Sequence, residues 1–366
     1  MRLPCLSGMR ERGRSRFHGS LAAMPAFALC AFFALAMAEA AETGQPAEPI
    51  PEYIKVSVTP WFSSGMGRFQ ISFPLDNSIP KSEIATGSTL EFQDKNNLMY
   101  LVAAEIRPHR RFSFDFQYGD SNFNAGFCRD HDWIDAANYI ITFQPSGNVY
   151  ETPHQTDLSL SQSSLSGRTT VMSVDGYARL IYNAAARTEN DTIYHNLDLL
   201  LGYSWYDDRF RMRNLVQLLS TGDLPTPPPG PIPGQDSTYN FHWEGFKMGL
   251  REELTLPYGF HAAGAFAYSP FVNYRGEGFW NLRNDLRRTP PCFVHIAHGS
   301  LYEGRLSVGY SPIRALSADF GYLIMYYNAK SGTDTTYFAD GTETQVDLDR
   351  VWSERKGWNL TVSLKF

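Results

Sequence analysis

The last nine residues, Trp358-Asn359-Leu360-Thr361-Val362-Ser363-Leu364-Lys365-Phe366, alternate without a break: even positions are apolar, odd positions polar, and the last is aromatic. In an extended strand successive side chains point to opposite faces, so this segment carries one oily face and one wet one. A soluble sheet shares that pattern. Ending it on an aromatic is the habit of transmembrane β-barrels, whose apolar outer band is flanked by aromatic girdles. The segment therefore predicts the closing strand of an outer-membrane barrel.

The front of the chain fits a protein bound for that membrane. Five arginines (Arg2, Arg10, Arg12, Arg14, Arg16) precede an apolar stretch from about Leu21 to Met37, followed by small residues that offer cleavage after Ala38 or Ala40. A basic region, an apolar region and an Ala-x-Ala site make a secretory signal peptide. The apolar run is short for a membrane anchor and interrupted by Pro25. Leu29 before Cys30 argues against a lipoprotein. Residues 1–40 are thus expected to be removed, 41–51 to form a periplasmic leader, and 52–366 to form the barrel.

The formal net charge of the 366 residues is −6, and losing the arginine-rich leader makes the remainder more acidic, which argues against nucleic acid as a partner. Beyond the leader, nothing approaches the ~20 consecutive apolar residues of a spanning helix. Aromatic residues make up 14% of the chain, a surplus that suits interfacial girdles.

Alternating segments recur at Tyr53–Phe62, Ser88–Phe92, Arg111–Tyr118, Thr170–Leu180, Asn196–Tyr206, Phe241–Leu256, Phe260–Val272, Tyr302–Tyr310, Leu316–Asn328 and Arg350–Phe366. Ten is an even number, as a single-chain barrel requires. The prediction is an all-β, ten-stranded antiparallel transmembrane barrel. Short connections (Asn183–Asp191, Pro257–Gly259, Ser311–Ala315) should be periplasmic turns. Long ones, at about 121–165, 212–238, 275–300 and 330–349, should face outward. The proline run Pro225 to Gly234 is expected to stay out of any ladder, as an exposed polyproline excursion.

The sharpest chemical cluster is Arg129-Asp130-His131-Asp132-Trp133-Ile134-Asp135, where a rising strand should emerge into the second outer loop. On extended backbone Asp130 and Asp132 point the same way. Two close carboxylates cannot both ionise cheaply, so one pKa rises and the pair can hold and activate a water. A solvated turn is the bland alternative; a Ca²⁺ loop lacks the required Gly and distal Glu. Cys128 and Cys292, left once the leader is gone, either pair in an oxidising compartment or stay free. His295 and His298 would share one helical turn but lack a third ligand, so they read as ordinary loop histidines and no metal is expected.

An Asp-x-Asp-Trp-x-Asp motif in the second outer loop of such a barrel resembles the omptins, outer-membrane endopeptidases of Gram-negative bacteria. Further likenesses are Ser63-Ser64-Gly65, Thr89-Leu90-Glu91-Phe92, His154-Gln155-Thr156-Asp157, Gly202-Tyr203 and Phe246-Lys247-Met248. The resemblance implies that Asp130 and Asp132 are half of a catalytic set that positions water for peptide-bond cleavage. The other half, an Asp-x-His dyad in the fourth outer loop, is missing: Gly278 and Trp280 stand there, with Glu277, His295 and His298 nearby. Loss of a general base removes a factor of about 10² to 10⁴ from acid–base catalysis. Phe69, beside Gln70, stands near the position of the family's specificity-setting Glu. The resemblance also implies lipopolysaccharide as an activating lipid, gripped here by Asp207 and Arg209, with Lys247 and Arg251 on the neighbouring strand.

Three functions follow as expectations. The first is an omptin-like endopeptidase acting on a polypeptide substrate through Asp130 and Asp132. The second is a catalytically degenerate barrel serving as a surface receptor or adhesin. The third is a small pore, ranked last because side chains nearly fill a ten-stranded lumen.

Overall fold

The computed structural model describes residues 53–74, 81, 84–136, 155–187, 192–222 and 226–366. The predicted signal peptide and leader lie outside the described residues. Within them the chain forms a closed antiparallel cylinder of ten strands. They are β1 (Tyr53–Pro74), β2 (Ile84–Gln93 continued by Asn97–His109), β3 (Phe112–Phe123 continued by Phe127–Ala136), β4 (Gln155–Arg187) and β5 (Thr192–Ser220). The second half comprises β6 (Ser237–Thr255), β7 (Phe260–Phe279), β8 (Phe293–Ile313), β9 (Leu316–Ala329 continued by Gly332–Tyr337) and β10 (Glu343–Lys365). The ring closes β1 on β10, from Lys55↔Lys365 up to Ser72↔Asp347. The closing aromatic is part of the seam: Phe366 N–H donates to the Ile54 carbonyl at 2.9 Å.

Each of the ten amphipathic segments falls in one of these strands. The outward residues explain why. Ile54, Val56, Val58 and Phe62 on β1, Phe246, Met248 and Leu250 on β6, and Trp358, Leu360, Val362 and Leu364 on β10 are all exposed. They form a lipid-facing band about nine residues tall per strand, the height that a tilted transmembrane strand needs. The short connections, such as the 3₁₀ turn Pro257–Gly259, lie at the end where β1 begins and β10 finishes. By the rule for these barrels that end is periplasmic.

The strands run far beyond the band, and here the expected loops are corrected. Most of 121–165 is ladder, since Phe127–Ala136 pairs with Ile84–Gln93 and with β4. The 212–238, 275–300 and 330–349 spans likewise contain strand on both sides of shorter turns. The proline run does join a ladder: Gly230–Ile232 pairs with β5, with Pro231 opposite Val216. Proline is tolerated because this three-residue piece is an edge, where a missing N–H leaves no neighbour unpaired. The inner half of β2, Asn97–His109, was not anticipated.

Inside, two zones follow one another. Level with the lipid band, the inward side chains are ions: Lys247 lies 3.1 Å from Asp175 and 2.9 Å from Glu303, Lys55 2.8 Å from Glu105, and Arg251 2.7 Å from Asp198. At the top of this zone a buried knot of Lys95, Asp208 and Arg355 ties β2, β5 and β10, with the Lys95–Asp208 pair at 2.7 Å. Beyond it the inward side chains are aromatic, among them Phe69, Phe92, Phe210, Tyr239, Phe241 and Trp243, each at most 2% exposed.

Candidate functional site

Asp130 and Asp132 lie on the outer half of β3, paired with Leu90 and Ser88 of β2 on one side and with Ser161 and Ser159 of β4 on the other. The two-residue spacing on continuous strand turns both carboxylates into the mouth of the barrel. Ser88 Oγ donates to Asp130 Oδ1 at 2.9 Å. Burial, then the neighbouring Asp132 charge, pushes the Asp130 carboxyl up to about 7, while the Ser88 hydrogen bond and the Arg283 guanidinium oppose the rise. Burial also raises Asp132, opposed by hydrogen bonds from Ser88 and Ser159. Two adjacent carboxyls are thus both raised by burial, with the charge of one disfavouring ionisation of the other.

The remaining residues of the acidic motif face away. His131 Nε2 lies 2.7 Å from Asp157 Oδ1, and Trp133 folds over β2, its Nε1–H donating to Thr89 Oγ1 at 3.1 Å. His154 lies outside the described residues. Serines were the missed partners. Their signal was present, since Ser159, Ser161 and Ser163 occupy alternate positions and so share the face of Asp130.

Across the mouth the structure holds no dyad in the fourth outer loop. Gly276 and Gly278 take inward positions on β7, and rings occupy the space that side chains there would need. A Cβ on Gly278 would run into the Phe293 ring, and one on Gly276 into the hydroxyls of Tyr239 and Tyr274. Trp280 closes this packing from the loop side, edge-on to Phe293 with centroids 4.6 Å apart. Its backbone N–H donates to Cys292 Sγ at 3.3 Å. Glu277 is turned outward and pairs with Arg275 at 2.7 Å. The same loop contributes a cation: Arg283, held by Asp285 at 2.6 Å, lies near enough to pull both Asp130 and Asp132 downward.

His295 and His298 are on β8, not on a loop or a helical turn, so their spacing of three sends them to opposite faces. His298 is outside, with Nδ1 3.0 Å from Asn273 Oδ1. His295 is inside and 1% exposed, its Nδ1 2.6 Å from the Tyr239 hydroxyl, which lies 2.7 Å from the Tyr274 hydroxyl. Its Nε2 is 3.5 Å from Asp334 Oδ1 on β9. Burial lowers His295 to about 3 and raises Asp334 to about 7, so the imidazole is neutral. This inward histidine–aspartate pair comes from strands that no local motif connects. Phe69 lies over it, 4.5 Å from the His295 ring and stacked on Tyr239 at 4.9 Å. Cys128 and Cys292 are both buried and free, so no disulfide ties the walls.

The outer wall corrects the expected lipid contacts. Lys247 and Arg251 face the lumen, because the exposed Phe246, Met248 and Leu250 fix the opposite parity of β6 toward lipid. Asp207 faces outward but is engaged by His242 at 2.7 Å. Arg209 faces outward beside Arg168 and Arg211, in a shallow depression with Asn122, Asn124 and Asn240. Arg168 is forked onto Asp120 at 2.6 and 2.8 Å, and Arg211 onto Asp236. Among the described residues, no group of three or more His, Cys, Asp or Glu is arranged to hold a metal ion.

Comparison with known proteins bears on the barrel rather than on its mouth. The profile of the Protochlamydia outer membrane protein family (Pom) matches residues 189–366. No curated protein matches the sequence. Among solved structures, the outer membrane protease OmpT of Escherichia coli aligns with a TM-score of 0.66 at 13% identity, covering 87% of this chain and 99% of its own. At that identity the likeness concerns the fold alone. The translocator domain of the autotransporter NalP from Neisseria meningitidis covers 94% of this chain and 97% of its own, with a TM-score of 0.31 and 9% identity, too low to carry an argument. A closed ring of ten strands, its lipid-facing band, the matching family profile and the OmpT-like fold make the chain an outer-membrane β-barrel.

Proposed function

We propose that the chain is a catalytically silent, omptin-like barrel whose extracellular cylinder serves as a binding surface. One observation carries this reading: Phe69, Tyr239 and Phe293, inward on β1, β6 and β8, pack on one another across the interior above the lipid band. A peptide cleft needs a second catalytic wall, and here rings occupy the inward space at Gly276 and Gly278 where side chains of that wall would stand. A neutral, buried His295 and a cation from Arg283 do not supply the accessible base that a second wall would need. A pore is disfavoured by the same packing and by the Lys95–Asp208–Arg355 knot beneath it. On the outer wall Arg209, between Arg168 held by Asp120 and Arg211 held by Asp236, offers a guanidinium suited to a phosphate of lipopolysaccharide.

A second reading, an endopeptidase working through Asp130 and Asp132, is favoured by the raised Asp130 carboxyl beside a second aspartate. A peptide-library assay in lipopolysaccharide-containing micelles separates the two. Silence with the parent protein, and no change with Asp130→Asn, is the expected result. Cleavage that disappears with Asp130→Asn or Asp132→Asn overturns it in favour of the peptidase.

A further inference from the structure

Below the aromatic zone the lumen is hollow. A cavity of about 390 Å³ opens toward the periplasmic end, within the range of small-molecule sites. Its space has a visible origin in the sequence. Side chains normally fill so narrow a barrel, yet three successive inward positions of β7 are Ala263, Ala265 and Ala267, which leave a smooth, short-sided wall. The facing wall is charged: Lys55, Glu105, Asp115 and Asp175 stand side by side in register across β1 to β4.

The carboxylates of that row differ in their cations, although Oδ1 of Asp175, like that of Asp115, is buried without a hydrogen-bond partner among the described residues. Glu105 is engaged by Lys55 at 2.8 Å and Arg107 at 3.3 Å, and Asp175 by Lys247 at 3.1 Å. Asp115 lines the cavity, and its buried Oδ1 has no hydrogen-bond partner among the described residues. Arg305, also on the lining, spends a donor on Gln117 at 2.9 Å instead. A buried carboxylate oxygen without a donor is costly, and a ligand that brings one relieves the cost.

We propose that this periplasm-facing cavity binds a small amphipathic amine, its ammonium donating to Asp115 and its hydrocarbon lying along the Ala263–Ala265–Ala267 wall. The chemistry follows from the two walls: a donor-poor carboxylate calls for a cationic donor, and an alanine surface calls for an aliphatic body. An anionic or uncharged chain of equal length satisfies only one of them.

Isothermal titration of the folded barrel in detergent micelles, with hexylamine hydrochloride, hexanol and sodium hexanoate as probes, tests this. Saturable binding of hexylamine is expected, at least about tenfold tighter than of either other probe. Asp115→Asn should weaken it about tenfold or more, and Ala265→Leu should weaken it several-fold by narrowing the hollow while leaving every charge in place. Folding of each variant is checked by its β-type circular dichroism. Absence of saturable binding overturns the proposal. So does equal binding of the three probes, or hexylamine binding that Ala265→Leu leaves unweakened in a folded barrel.

Discussion

The lumen level with the lipid and the lumen above it solve one problem in opposite ways. Below, inward positions are ions paired across the barrel, and a hollow remains. Above, rings dominate the inward positions, among them Phe69, Phe92, Phe210, Tyr239 and Phe241. Lipid explains the inversion: in the band the apolar residues must face outward, so the polar ones turn in. Beyond the headgroups water lies outside, and the apolar residues return to the interior. Much of the interior above the lipid band is therefore an aromatic core.

That contrast can be broken at its strongest point first. Lys247→Met leaves Asp175 and Glu303 unpaired inside the lower zone and should cost roughly 3–5 kcal/mol. Denaturant unfolding in lipid vesicles would register this as a lower midpoint; an unchanged midpoint would mean that the ion pairs are incidental. In the upper zone Gly278→Ala places a methyl against the Phe293 ring and should cost about 1–3 kcal/mol through overpacking. An open cleft would accept that methyl without loss.

The third test uses pH. Asp130 is raised to about 7 in the folded barrel from an ordinary value near 3.9. Its contribution is therefore fully present below about pH 4 and is lost as pH rises through 7. Asp130→Asn should leave stability unchanged at pH 4 and increase it by roughly 1–2 kcal/mol at pH 8, a figure reduced for water at the mouth. Destabilisation by this variant at pH 8 would show the carboxylate to be favourably charged instead. Smallest is the outer wall: Arg209→Ala should weaken lipopolysaccharide binding several-fold, more at low salt than at high, with no change in the unfolding midpoint.

The same parity change explains how much the sequence could reveal. In β5 the outward apolar row Leu199, Leu201, Tyr203, Trp205 is odd-numbered, whereas the inward row above it, Tyr206, Phe210 and Met212, is even-numbered. A reading that follows one oily face stops at Tyr206, where the strand is still 14 residues from its end at Ser220. The expected outer loops were the upper strands seen with their parity reversed. The inner half of β2 was hidden for another reason: Leu98 to Ala104 is apolar on both faces, with Met99 and Leu101 buried inside and Leu98, Tyr100 and Val102 exposed outside, so no alternation remains. Asp130 and Asp132 were legible because two residues on one strand share a face. Arg283, His295 and Asp334 were not, because only closure of the ring brings their strands together.

The proposed closure of the mouth to substrate is tested most directly by the reactivity of its own thiols. Cys128 points inward two residues from Asp130, and Cys292 lies under Trp280. In the folded protein lacking residues 1–40, a membrane-impermeant maleimide should label neither, and both should react after denaturation. Rapid labelling of Cys128 in the folded barrel would mean that solvent reaches the acidic pair through an open cleft, contradicting the account.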